Sequence, residues 1–346
     1  MKGILAVTGT FLICAAFLFV LPFDSASGQV PPIGIIDFYG LRSISEQQAR
    51  EALQIKEGDA VPDSREEVER RLEALPNAQQ ARLTFVCCEA GKAIVYVGIK
   101  ERGAPTLRFR PAPHGRAKLP DQMVQAGDAL SDAVTRGAEK GDVAEDDSQG
   151  HALYHNPEAR VVQEHFITFA AQDLKLLRAV LRESSDAHHR ALAAEIIAYA
   201  ANKRDVVKDL VYGMSDVDED VRNNSIRALA VISRFARASS KQRIKVPAKS
   251  FIEMLNSIIW TDRNKSSAVL LQLTEQRDAA VLSNLRQRAL QSLIEMSRWK
   301  SPVHANAAFF ILGRVGNLSD DEIQKIWDSS NRQLLIETVL KRVGPK

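Results

Sequence analysis

Residues 215–230 read SDVDEDVRNNSIRALA. Carboxylates at Asp216, Asp218, Glu219 and Asp220 run into Arg222, either as a catalytic cluster or as the turn and helix start of a repeated unit. Placing DAHHRALAAEIIAYA, from Asp186, above DEDVRNNSIRALAVI, from Asp218, decides for the repeat. At an offset of 32 residues Asp186 meets Asp218, Arg190 meets Arg222, and the apolar pairs Ala194/Ile226 and Ile197/Leu229 coincide. Self-similarity at such a period marks a stack of helical units. HANAAFFILGRVG at His304 reads as a further copy, and DRNKSSAVLLQL at Asp262 as a degenerate one.

Helical spacing of apolar residues continues from 156 to the end of the chain: Leu174, Leu177 and Leu181, then Ala193, Ile196, Ile197 and Ala200, then Val207, Leu210 and Val211. Asn156-Pro157-Glu158 supplies a cap, a proline at the first helical position and an acid in the first turn. Later helices are expected over 247–259, 263–274, 278–297, 302–314, 320–328 and 331–342. This part resembles the HEAT repeat family, in its shorter variety with an Asp-x-x-x-Arg step. The resemblance implies that Asp186 and Asp218 cap helices while Arg190 and Arg222 reach neighbouring turns, a structural ladder along the stack. Ala191, Ala193, Ala194, Ala228 and Ala230 suit close helix approach.

Residues 29–103 have a different pattern. A strand is expected over 33–39, ending at Gly40; a helix follows, capped by Ser43 or Ser45 and stopped at Gly58; a second helix opens at Asp63 or Ser64. Strands at 80–88 and 92–100 flank a hairpin turn, Glu89-Ala90-Gly91-Lys92. The β-α-α-β-β order, with Ile36-Asp37-Phe38-Tyr39-Gly40, Lys56-Glu57-Gly58-Asp59 and the strand Ile94 to Glu101, resembles a POTRA domain. That resemblance implies binding by strand addition at a sheet edge. The fold class expected is therefore mainly α: a solenoid of HEAT-like repeats over 156–346, preceded by a small α+β domain. Residues 104–155 are expected to be a linker with one helix, over 121–139, and KGDVAEDDSQG at 140–150 reads as a solvated acidic stretch.

Residues 1–28 combine Lys2, an apolar run from Ile4 to Leu21 and the small residues Ala26 and Gly28, the plan of a signal peptide. A periplasmic or secreted protein is expected, the alternative being an uncleaved anchor in the inner membrane. No transmembrane span is expected after cleavage. Cys87 and Cys88 are adjacent, and both a pair of strand thiols and a vicinal or intermolecular disulfide remain open. With 46 basic against 43 acidic residues the formal charge is only +3, so nucleic acid is not an expected partner. A basic stretch from Arg234 to Lys249 reads as a solvated loop.

GxSxG, the P-loop, GxGxxG and HExxH are absent from the sequence. His151 and His155 are four apart, but Gly150 and Asn156-Pro157 interrupt any helix around them. No catalytic residue, metal or cofactor is therefore assigned. Trp260, Asp262, Arg263, Asn264 and Lys265, with Trp299 as a second candidate of the same type, combine aromatic and charged groups at interhelix turns; they read either as a repeat turn with a packed Trp and an Asp-Arg pair belonging to the ladder, or as the candidate interaction surface. The function expected is a non-enzymatic scaffold that meets protein partners at the bacterial envelope. The alternative is an enzyme or a ligand- or metal-binding protein using a groove of the repeats, with Asp262, Arg263, His304 or the His151/His155 pair as polar groups. The whole chain resembles secreted bacterial HEAT-repeat proteins, a resemblance that implies architecture and no particular activity.

Overall fold

The computed structural model describes residues 31–105, 107–238 and 243–343. The expected signal segment lies outside the described residues. Those residues are mostly helical, with a small sheet.

The first module has the expected order: β1 (Ile33–Tyr39), α1 (Glu46–Leu53), α2 (Arg65–Glu73), β2 (Ala78–Glu89) and β3 (Lys92–Glu101). Ser45 closes a capping box with Gln48, and Ser64 caps α2. α1 ends at Gln54, in the left-handed region, so Gly58 belongs to the following turn and does not stop the helix. β3 is central, parallel to β1 and antiparallel to β2. Ala90 and Gly91 both have positive φ at the hairpin tip, with Glu89 opposite Lys92. Next to it Cys87 and Cys88 form a vicinal disulfide across a cis peptide bond, in a break of the β2–β3 register. One sheet face carries Ile33, Ile36, Val95, Val97 and Ile99 onto Leu53, Val68 and Leu72 of the two helices. The other face does not meet water: Tyr39, Ile94, Tyr96 and Val86 join the core of the helical part.

Residues 104–155 depart from expectation. α3 (Asp121–Glu139) has the predicted bounds, but the segment around it is packed rather than a linker. Arg110 bridges to Asp216 and Gly115 to Ser184, and Leu119 is buried, its amide donating to His189 Nδ1 at 3.0 Å. A Cβ on Gly115 would lie 2.3 Å from the Glu183 carbonyl, so only glycine fits this approach. The acidic stretch is largely exposed, but two of its carboxylates are engaged. β4 (Glu145–Asp146) pairs with β5 (Leu153–Tyr154), Glu145 meets Arg227, and Asp147 meets Arg234 at 2.5 Å.

Helices then follow to the end of the described chain: α4 (Pro157–Glu183), α5 (Ala187–Ile197), α6 (Lys203–Gly213), α7 (Glu219–Ala238), α8 (Lys249–Met254), α9 (Trp260–Leu273), α10 (Ala279–Arg288), α11 (Leu290–Ser297), α12 (Pro302–Val315), α13 (Asp320–Asp328) and α14 (Arg332–Val343). The helix expected over 278–297 is two, broken at Ala289, where φ is −137°. The break lets α10 pack on α8 and α12 while α11 packs on α12 and β1. α5, α7, α9 and α12 contact one another in sequence order, each with a further helix beside it, as a helical repeat stack requires.

Buried arginines set the register of that row. Arg190, Arg222 and Arg263 each occupy the fourth position of their helix, and each donates to the carbonyl six residues earlier: Ser184 at 2.9 Å, Asp216 at 2.9 Å and Ser257 at 2.5 Å. Each also pairs with an acid further along the chain. Arg190 meets Asp216 with two bonds of 2.9 Å, Arg222 meets Asp262 at 3.0–3.1 Å, and Arg263 meets Glu295 at 2.9 Å. Asp186 and Asp218 cap α5 and α7 through amides two and three residues on. The third copy aligns on Arg263, with Ile259 where the others have a capping Asp. Asp262, read from sequence as the start of that copy, is the acceptor for the preceding arginine.

Removing one member of a buried ion pair strands the other, at a cost of about 3–5 kcal/mol. Asp262→Ala is expected to destabilise the chain by that order in urea unfolding, and Arg222→Met with Asp262→Leu by clearly less.

Candidate functional site

The residues singled out as an interaction surface are brought together, but against the chain's own first module. Trp260 opens α9, and Trp299 lies just before α12; both are 1% exposed. Tyr96 of β3 stacks on Trp260 with ring centres 5.0 Å apart and planes 20° apart, and lies 5.0 Å from Trp299. Its hydroxyl is 2.6 Å from His304 Nδ1. Tyr39 packs edge-on to Trp299, donates to the Ile258 carbonyl at 2.6 Å, and carries the Arg263 guanidinium 4.5 Å above its ring. Asp262 and Arg263 are buried as ladder members, while Asn264 and Lys265 are half-buried. Burying each of the four rings, Trp260, Trp299, Tyr39 and Tyr96, is worth on the order of 5 kcal/mol at most. That outweighs the roughly 1–3 kcal/mol for each donor left unmatched, among them Trp260 Nε1 and Trp299 Nε1. The docked state is therefore the resting state.

Gly98 makes the approach possible. A Cβ there would sit 2.5 Å from the Ile258 carbonyl and 2.7 Å from the Tyr39 ring. At the rim Lys300 donates its amide to Asp37 at 2.8 Å and its ammonium to the Ile36 carbonyl at 2.8 Å. Burial raises the Asp37 carboxyl to about 6, against the lowering effect of the Lys300 amide and charge.

Both sheet edges are partly occupied. On β2 the amides of Ala81 and Leu83 donate to Glu73 and Glu69 of α2, at 3.0 and 2.8 Å. On β1 the Ile33 amide and carbonyl bond to the 58–59 turn, and Lys300 takes Ile36.

Two hollows flank the docked module. The larger, about 900 Å³, lies between the 40–42 and 99–100 ends of the sheet and the N-terminal ends of α7 and α9, extending to α10 and α11. Leu107, Phe109, Val217, Ile258 and Leu290 give it apolar walls, and Val217 is 49% exposed. The smaller, about 360 Å³, adjoins it through Arg82, Glu219 and Ile259, and lies between β2, α3, α5, α7 and α9. Glu195, Glu219, Asp220 and Lys265 line it. Burial raises the three carboxyls, and it lowers the Lys265 ammonium to about 7 with help from Arg227.

The histidine pair does not form. His151 is buried, with its Nδ1 2.9 Å from Lys203 Nζ, while His155 is exposed. Among the described residues there is no group of three or more His, Cys, Asp or Glu that could hold a metal, and no helix is long and apolar enough to cross a membrane. The basic stretch is partly paired, Arg234 with Asp147 and Arg237 with Glu275; Lys241 lies outside the described residues.

No family model and no curated protein matches the chain. Among solved structures it is similar to a designed armadillo repeat protein, at 14% identity and a TM-score of 0.34, over 53% of this chain and 93% of that one. At that score it is the helix pairing seen here that defines the repeat stack.

Burial lowers His304 and His151 from 6.5 to about 4. The unfolded chain thus binds more protons between pH 6.5 and 4, and stability falls as pH drops through that window, by about 3 kcal/mol for each. Asp37, raised from 3.8 to about 6, acts with the opposite sign over pH 4–6. His304→Gln is expected to flatten the acid side of the stability profile by roughly the share of one histidine, measured by urea unfolding from pH 7 to 4.5.

Proposed function

We propose that the chain is an exported, non-enzymatic scaffold whose recognition surface is the larger groove beside the docked module. The observation that carries this reading is an open hollow with apolar walls, at the junction of the first module and the repeat stack, that the described side chains leave unfilled. Repeat stacks commonly present such surfaces to other proteins. The β-α-α-β-β order and the central β3 fit the POTRA-like reading of the module. Strand addition meets edges already engaged by Glu69, Glu73 and Lys300, so recognition is assigned to the groove instead. The apolar N-terminal segment and the vicinal disulfide support residence in the oxidising envelope or outside the cell.

The smaller cleft favours a second reading, binding of a small polar ligand. Its size and its perturbed carboxyls and lysine are those of many ligand sites.

A photoactivatable amino acid at Val217 of the full chain, in an exporting bacterial host, is expected to capture one reproducible protein partner. The same probe at Val161, which is 56% exposed on α4, is expected to capture none. Equal capture at both sites, or none at Val217, would sink the scaffold reading. A thermal upshift with small polar ligands, abolished by Glu195→Gln and Lys265→Met, would support the second reading instead.

A further inference from the structure

The charges around the larger groove say what its partner is made of. Cations outnumber acids among its lining residues, and most are engaged. Arg222 and Arg263 belong to the ladder, Arg82 leans on Glu69 and Glu73, Arg288 pairs with Glu253, and Arg286 donates to the Val315 carbonyl. Arg42 and Lys100 make no ion pair among the described residues, and both stand at the module's end of the groove. Of its three acids, Glu295 holds Arg263 and the Gly40 amide, Asp218 caps α7, and Glu219 stands where the groove adjoins the smaller cleft, away from Arg42 and Lys100 in the chain's first module.

We infer that the groove takes a short extended polypeptide segment bearing acidic residues among apolar ones. This deepens the scaffold reading and rests on it. A polyanion without apolar groups would satisfy Arg42 and Lys100 but leave Val217, Leu107 and Phe109 against water. A basic segment would meet like charges at the mouth, and a purely apolar one would leave two cations facing it without anions. Only a segment with both kinds of side chain matches rim and walls together. The near-neutral total of the chain, +3, does not create this preference; local placement does.

The test is to pan a displayed library of random dodecapeptides against the full chain, then measure the best binders by fluorescence anisotropy. Enriched peptides are expected to combine Asp or Glu with apolar residues. Their affinity should fall at least tenfold when the acids become Ser, when the apolar residues become Ser, or when the chain carries Arg42→Glu with Lys100→Glu. Arg42 is exposed and Lys100 half-buried on β3, so circular dichroism and the urea unfolding midpoint would check that the variant keeps its fold. Added salt should weaken binding. No enrichment, enrichment of basic or uncharged peptides, or binding indifferent to the double reversal would overturn the inference. A protein captured at Val217 through a segment without acids would overturn it too, while leaving the scaffold reading standing.

Discussion

Everything in this architecture depends on the second face of a three-stranded sheet having to be covered. β3 is buried along almost its whole length because helices lie under one face and the repeat stack under the other. Tyr96 is the residue that makes the second contact specific. Its ring stacks on Trp260, its edge meets Trp299, and its hydroxyl reaches His304, so one side chain ties β3 to the starts of α9 and α12. A module held in this way is part of the repeat stack's core rather than a bead on a tether. Its placement across the starts of α7 and α9 also leaves the two hollows at its margins.

The arginine ladder and the aromatic joint are built on the same helix ends. Each ladder arginine satisfies a carbonyl in its own turn and an acid from a later unit, which holds consecutive units at fixed rotation. Rings then cover those guanidinium faces: Phe109 lies 4.1 Å from Arg222, and Tyr39 lies 4.5 Å from Arg263. The strap around residue 109 and the first module therefore shield the ladder from water. Shielding strengthens the ion pairs but removes hydration from every partner, so loss of the module would expose them as well as the aromatic core.

How much of this was legible in the sequence depended on how local the cause was. Ser45, Ser64 and Asp186 cap their helices because capping needs only the next three residues, and the apolar spacing of α3 gave its bounds. Arg190 and Arg222 were found through their repeat, but Arg263 was misaligned because Ile259 replaces the capping Asp. The pairing of Glu145 and Asp147 within the acidic stretch was not legible because their partners, Arg227 and Arg234, lie more than 80 residues away. Trp260 and Trp299 could be read as packed turn residues or as a binding surface, and local sequence could not choose between them: Tyr39 and Tyr96, which cover them, belong to another module. One signal was present and went unused. The run Ala93 to Ile99, AIVYVGI, lacks the alternation of a strand with one wet face, and such runs belong to strands buried on both sides.

The distribution of charge separates structure from recognition more sharply than the distribution of aromatics does. The aromatic residues that suggested a binding surface are consumed in holding the chain together. Buried arginines are likewise committed, each to an acid and a carbonyl, and a residue with fixed partners on several sides has little left to offer another molecule. Arg42 and Lys100 differ because they make no ion pair among the described residues and stand at the rim of the larger groove, beside its apolar walls. The proposed recognition surface draws on groups that the described fold leaves uncommitted, and these lie at the margin of the docked module.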